Sequence, residues 1–330
     1  MILIDLVYIN SPGGITISNL LLDYINKQKN SKKFKILLDK RNSRYFEKFN
    51  IEKTIISKSE LSRYLFYRRN GQDFNSILCF ANIPPPFNIR AKTVVYFHNE
   101  IFLNQKGLGF SIIKKFIFKI KWIYIKSKNL NYTWFVQTYH MREILIEKLN
   151  TNESHVEVHP IYKEEKSKPI KKRPFTFIYP SSNSPHKNNF RLLKAFVEAT
   201  KKTSKEIELY ITIDKLKLDV PKNLKINFLG LIDHNELLSN LKKVEFLIFP
   251  SLRESFGLPL IEGIQANCKI LCSNLNFAHE LISPSYFFNP NDEKSITDVI
   301  LLALSDKNHP KSSIKIKNSI DLIFNKLNNV

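Results

Sequence analysis

The chain has 330 residues, 43% of them hydrophobic and 12% aromatic, with a formal net charge of +21. That much apolar material excludes a disordered protein and suffices for two packed cores of ordinary size. The basic excess runs through both halves and accompanies no nucleic-acid motif, so an anionic membrane surface or a phosphorylated ligand is the expected partner and nucleic acid is not.

Residues 2–10 are mostly apolar and run into Ser11-Pro12-Gly13-Gly14, which reads as a first strand and not as a secretory leader. A helical period follows over residues 15–29. Further strands are expected at 34–38, 76–81, 93–98, 132–137 and 155–159, with helices at 61–69, 108–128 and 140–149. Residues 162–174 are polar and read as a linker. Alternation resumes with strands at 175–180, 207–213, 226–229, 245–250, 269–273 and 286–288. Helices are expected at 189–203, 235–242, 258–266 and 294–304, and a last one at 315–327. This pattern predicts an α/β fold of two doubly wound, Rossmann-like domains, residues 1–161 and 175–330, with the last helix a candidate to pack back on the first domain. Two such domains would face each other across a cleft, with ligands at the carboxyl ends of the strands. Cys79, Cys268 and Cys272 are odd in number and sit in or near apolar runs, as reduced, buried thiols do. No run of ~18 uncharged apolar residues is present, so a cytoplasmic protein without a transmembrane helix is expected.

The most informative stretch is Phe249-Pro250-Ser251-Leu252-Arg253-Glu254-Ser255-Phe256-Gly257-Leu258-Pro259-Leu260-Ile261-Glu262. A strand ends at Pro250, a loop follows, and a helix begins near Pro259, where proline is tolerated. Gly257 lets backbone approach a ligand closely, and free N–H groups at the helix start can hold an anion such as a diphosphate. Glu254 in the loop and Glu262 in the helix are suited to vicinal hydroxyls, since each carboxylate accepts two O–H bonds. Taken alone, the pair reads more readily as a solvated loop glutamate and a partner of the helix dipole.

The spacing Glu254-x7-Glu262 around Phe256-Gly257-Leu258-Pro259 resembles the signature of the family 4 retaining glycosyltransferases, which have the GT-B fold. Phe228-Leu229-Gly230, Leu247-Ile248-Phe249-Pro250-Ser251, residues 273–280 and residues 288–292 are similar to other parts of that family. Gly13-Gly14, Asn82-Ile83-Pro84-Pro85, Phe97-His98-Asn99 and Val136-Gln137-Thr138 resemble members that build bacterial O-antigen or capsular polysaccharide. The resemblance implies a nucleotide-sugar donor and a saccharide acceptor, which is lipid-linked in such pathways. It implies that Glu254 binds donor-sugar hydroxyls, that Ser251 and the backbone of Phe256, Gly257 and Leu258 lie at the sugar and diphosphate, and that Glu262 holds the ribose. Gly13 and Gly14 would form a loop facing the diphosphate and acceptor, and His98 would sit by the transferred sugar. Catalysis would rest on His98, Lys187 and Glu254.

One departure stands out. The family's Gly-Arg after the first strand of the second domain is replaced by Tyr179-Pro180-Ser181-Ser182, while Lys187 matches the lysine further on. Either His186 partly stands in for the missing arginine, or Lys187 carries the diphosphate charge alone. No Asp-x-Asp occurs, so no metal or other cofactor is expected. The competing readings are a catalytically silent or nucleic-acid-binding scaffold of the same fold, and a sugar-nucleotide epimerase or soluble-acceptor transferase.

The lysine-rich helix at 108–128 has two apolar arcs. Ile112, Ile113, Phe116, Ile117, Ile120, Ile123 and Tyr124 form the wider one and are expected to face the core. Phe118, Trp122 and Ile125 fall opposite, among Lys114, Lys115, Lys119 and Lys121. This second arc either meets the inner face of the membrane, making the protein peripheral there, or packs against further protein.

Overall fold

The computed structural model describes residues 1–28, 31–103, 111–127, 132–165 and 170–328; of Lys114 only the backbone is described. The chain divides into two compact units, Met1–Lys163 with Lys317–Val330, and Glu164–Ile316. The tail beyond Ile316, counted with the second domain in the range 175–330, thus groups with the first unit.

Unit 1 runs β1 (Ile2–Asp5), α1 (Pro12–Asn26), β2 (Phe34–Asp39), β3 (Glu52–Ile56), α2 (Glu60–Asn70), β4 (Ser76–Cys79), β5 (Lys92–Tyr96), α3 (Ile112–Ser127), β6 (Thr133–Val136), α4 (Tyr139–Leu149) and β7 (Val156–Val158). Among the described residues these strands form a parallel sheet in the order β3-β2-β1-β4-β5-β6-β7. β1 is buried along its whole length, as its unbroken apolar run requires of a strand covered on both faces. β3 was not expected: Glu52-Lys53-Thr54-Ile55-Ile56 is an edge strand and only partly buried, so it lacks a continuous apolar signal. Strand order reverses between β1 and β4, and a buried ion pair braces this point. Arg63 of α2 donates from Nε to Asp5 Oδ2 at 2.9 Å, and its other nitrogens reach the carbonyls of Pro84 at 2.9 Å and Ile83 at 3.1 Å.

Unit 2 runs β8 (Arg173–Tyr179), α5 (Asn189–Lys201), β9 (Ile207–Ile211), β10 (Leu224–Phe228), α6 (His234–Lys243), β11 (Val244–Phe249), α7 (Leu258–Gln265), β12 (Lys269–Ser273), α8 (Asn276–Leu281), β13 (Ile282–Ser283), β14 (Tyr286–Phe288), α9 (Glu293–Ser305) and β15 (Ser313–Ile314). Its parallel sheet has the order β10-β9-β8-β11-β12-β14, reversing between β8 and β11, and β13 pairs antiparallel with β15. The last described element is α10 (Ile320–Asn328), which buries Ile320, Ile323 and Leu327 within unit 1.

The orientation of α3 is the reverse of the expectation. Ile125 is fully buried, Trp122 meets Phe97 at 6.4 Å between ring centroids, and Phe118 meets Phe102 at 5.1 Å. The wide arc Ile112, Ile113, Phe116, Ile117, Ile120 and Ile123 is exposed. The three-residue arc turns inward because it carries the aromatic bulk that fills the hollow beside Phe97. Phe118 and Trp122 are therefore packing residues, the second of the two alternatives for that arc, and not membrane contacts. Lys115 and Lys119 remain exposed, and the Lys114 side chain lies outside the described residues. Among the described residues no helix is long and apolar enough to cross a membrane.

Cys79, Cys268 and Cys272 are free and buried, and burial pushes the Cys79 thiol up to about 12 and Cys268 to about 11.

Candidate functional site

In unit 2 the loops after β8 and β11 leave neighbouring strands where the strand order reverses, the position at which open α/β sheets bind ligands. They are stitched together from beneath. Tyr179 donates its hydroxyl to the Lys187 carbonyl at 2.6 Å and lies 3.0 Å from Ser251 Oγ. Leu252 N–H donates to the His186 carbonyl at 2.8 Å, and Asn188 Nδ2 reaches the carbonyls of Pro250 at 3.2 Å and Pro290 at 2.7 Å. Asn188 does so from φ +60°, a left-handed conformation that asparagine tolerates. Ser251 is fully buried, so its hydroxyl holds the loops together and is not a surface ligand as expected.

Above this framework Lys187 Nζ lies 2.5 Å from Glu254 Oε1 and 5.4 Å from the centre of the Phe249 ring. Sixty-seven residues apart in sequence, the two are brought together as an ion pair. Phe256 is buried, Leu258 half-buried. Gly257 caps α7 at φ +86°, and a Cβ there would stand 3.3 Å from Leu260 Cδ1 and 3.7 Å from Phe277. The positive φ, more than any open space, is why glycine stands at this position. No side chain caps α7, whose first turn holds Leu258 and Pro259.

Glu262 lies in α7, nearly buried, with Oε1 2.7 Å from His234 Nε2. His234 opens α6, capped by Asp233, and is the site residue that sequence reasoning missed. Its pairing with a residue 28 positions away leaves no local signal beyond the Asp-His helix start.

At the place of the expected arginine, Ser181 is clipped to the loop after β9: its N–H donates to Thr212 Oγ1 at 2.7 Å, and Thr212 Oγ1 returns a bond to the Ser181 carbonyl at 2.8 Å. His186 stands in the same loop, next to Lys187. Burial, then Lys187, hold its pKa below the usual value, so it is neutral near pH 7.

In unit 1, Gly13 and Gly14 do not form a loop; they are the second and third residues of α1. Ser11 Oγ accepts from Gly14 N–H at 3.3 Å, and the Ser11 carbonyl accepts from Ile15 N–H at 2.9 Å, which leaves Gly13 N–H as the first-turn donor that Ser11 does not take. A Cβ at Gly13 would meet nothing within 4 Å. His98 follows β5 at the same carboxyl edge of the sheet. Its N–H donates at 2.6 Å to Asn82 Oδ1 in the loop after β4. Burial lowers its imidazole to about 4, so it is uncharged at neutral pH. Among the described residues no three His, Cys, Asp or Glu side chains gather into a metal-binding group.

Residues 161–319 match the model of the family described as Glycosyl transferases group 1. The O-antigen chain mannosyltransferase RfbU of Salmonella typhimurium is 29% identical over 129 residues, 36% of this chain. That match spans only 35% of the relative's own length. Among solved structures, Anabaena Alr3699/HepE in complex with UDP and glucose superposes with a TM-score of 0.69 over 92% of this chain and 90% of its own, at 13% identity. WaaG, a glycosyltransferase involved in lipopolysaccharide biosynthesis, gives 0.68 over 93% and 91%, at 12% identity. At such identities the likeness speaks for the fold, and the family match speaks for the second unit. The chain has the GT-B fold of two parallel-sheet α/β units, and its residues 161–319, just under half of it, match the glycosyl transferases group 1 family.

Proposed function

We propose that the protein is a retaining glycosyltransferase that moves a sugar, mannose by analogy with the Salmonella relative, from a nucleotide donor to a lipid-linked saccharide in bacterial surface polysaccharide synthesis. The observation that carries this reading is the Lys187–Glu254 pair at the strand-order reversal of a group 1 glycosyltransferase domain. An ammonium for the diphosphate and a carboxylate for sugar hydroxyls are what such a donor requires.

In this reading Lys187 and the first turn of α7 take the diphosphate, Glu254 takes the sugar, and Glu262, oriented by His234, takes the ribose. Phe256, Gly257 and Leu258 offer backbone beside the sugar. His98 and Gly13-Gly14 of unit 1 serve the transferred sugar and the acceptor. The acceptor hydroxyl attacks the anomeric carbon from the leaving-group face. The bond to the diphosphate breaks, the new glycosidic bond forms, and the acceptor proton passes to a departing phosphate oxygen. Positioning and charge stabilisation supply the rate, with no divalent metal. The enzyme works at the inner membrane surface, where a lipid-linked acceptor resides.

The test is release of nucleoside diphosphate from UDP-, GDP- and dTDP-sugars with membrane extract as acceptor, native protein beside Glu262→Ala, with and without EDTA. Turnover of one donor, depressed at least about tenfold by the substitution and unchanged by EDTA, supports the reading. No turnover, together with no donor-induced rise in Tm, returns the chain to a silent scaffold. An inverted product linkage by NMR removes the retaining mechanism.

A further inference from the structure

The outward face of α3 is apolar over a continuous arc. Ile112, Ile113, Phe116, Ile117, Ile120 and Ile123 are between 48% and 86% exposed. At 100° per residue they span about 140° of the helix circumference. Lys115, Lys119 and Lys126 border the arc on one side and Lys121 on the other, all exposed. Long side chains so placed lie along the apolar stripe and raise their ammonium groups to a polar boundary.

The arc continues into a pocket of about 530 Å³ between α2 and α3. Its walls are Leu61 and Tyr64 of α2, Ile83 and Pro86 from the loop after β4, and Ile120 and Tyr124 of α3; Glu60 and Lys121 are its charged lining. Tyr124 donates its hydroxyl to the Pro85 carbonyl at 3.2 Å, and the Tyr64 hydroxyl accepts from Arg68 Nη1 at 3.3 Å, so both tyrosine hydroxyls are occupied. Leu61 at the rim is 65% exposed.

We infer that this face of unit 1 seats the protein on an anionic lipid surface, with one lipid hydrocarbon chain entering the pocket between α2 and α3. The assignment deepens the membrane association proposed above and rests on it. The stripe supplies apolar area for the acyl boundary, and the flanking lysines match phosphate head groups in charge. The pocket, about 530 Å³ and walled mainly by apolar atoms, has room for a chain and offers little to a polar ligand.

The full chain is tested for sedimentation with vesicles containing phosphatidylglycerol and with pure phosphatidylcholine vesicles. Ile113→Ser/Phe116→Ser/Ile117→Ser runs beside the native protein; all three sites are exposed, and an unchanged Tm confirms the fold. A vesicle phospholipid with a diazirine on its acyl chain reports the pocket by cross-linking. Expected are binding to the anionic vesicles that the triple variant weakens at least about tenfold, weaker binding to phosphatidylcholine, and cross-links in peptides holding Tyr64 or Tyr124. Equal binding by the triple variant overturns this surface while membrane association stands. No binding of the native protein to either vesicle overturns both. A native dimer that the triple variant dissociates, without vesicle binding, hands the face to a second copy of the chain.

Discussion

Lys187 and Glu254 form an ion pair of 2.5 Å, with 16% and 14% of their side chains exposed. Each satisfies the other. A diphosphate arriving at Lys187 would release the carboxylate for sugar hydroxyls. Lys187→Ala is expected to cut nucleoside diphosphate release at least tenfold, about 1.5–3 kcal/mol. Lys187→Ala/Glu254→Gln is expected to lose less than the product of the two single losses, because either change already breaks the pair. Steady-state release by the four proteins decides it; strictly multiplicative losses would mean the pair is incidental.

Glu262 and His234 predict a different kinetic signature. If the carboxylate holds the ribose, its contacts are the same in ground and transition states, so losing them raises KM and spares kcat. Glu262→Ala should raise the donor KM more than about tenfold. His234→Ala, which removes one hydrogen bond to the carboxylate, should raise it about fivefold. Initial-rate measurements over donor concentration separate this from a fall in kcat.

His98 ties stability to pH. Its imidazole titrates near 6.5 when solvated but only at about 4 in the folded chain, because burial disfavours the charged form. Stability from this group is therefore complete above pH 6.5 and is lost as the pH falls toward 4, at about 1.4 kcal/mol per unit within that window. Burial also lowers His159, His186 and His309, which act in the same direction. Urea midpoints between pH 7.5 and 4.5, taken on native protein and His98→Asn, should show a shallower fall in the variant.

The two helix-start glycines should part ways on substitution. Gly257→Ala meets a positive φ and is expected to lower stability by about 1 kcal/mol or more. Gly13→Ala enters open space in the first turn of α1 and should be neutral or slightly stabilising by thermal unfolding. A fall in activity at Gly13→Ala with Tm unchanged would mark a ligand passing close to that backbone.

Much of this was legible because parallel strands covered on both faces read as unbroken apolar runs, and β12 and β14 lie where those runs do. The β11–α7 segment was legible for a second reason: its chemistry is local, with Glu254, Gly257 and Glu262 within one turn and one helix. His234 was not, since only the fold brings α6 to α7. The facing of α3 was read the wrong way round because periodicity locates apolar arcs without saying which one meets protein. That depended on the hollow beside Phe97 and Phe102, which is set by residues far away in sequence. The first-turn placement of Gly13 and Gly14 was hidden by the glycines themselves, poor helix formers recruited by the Ser11 cap and Pro12.

The return of α10 to unit 1 bears on how the molecule is made. Phe324 of that helix packs against Tyr24 and Phe34, with ring centroids at 5.5 and 5.6 Å, so a wall of the first unit is supplied by residues translated after the whole of unit 2. Unit 2 is a continuous stretch and can close as soon as it leaves the ribosome. Unit 1 waits, its sheet formed but one flank open, until α10 has been made. During that interval the lysine-edged isoleucines of α3 are already displayed, and a nascent chain could reach the lipid surface proposed for it before unit 1 is sealed.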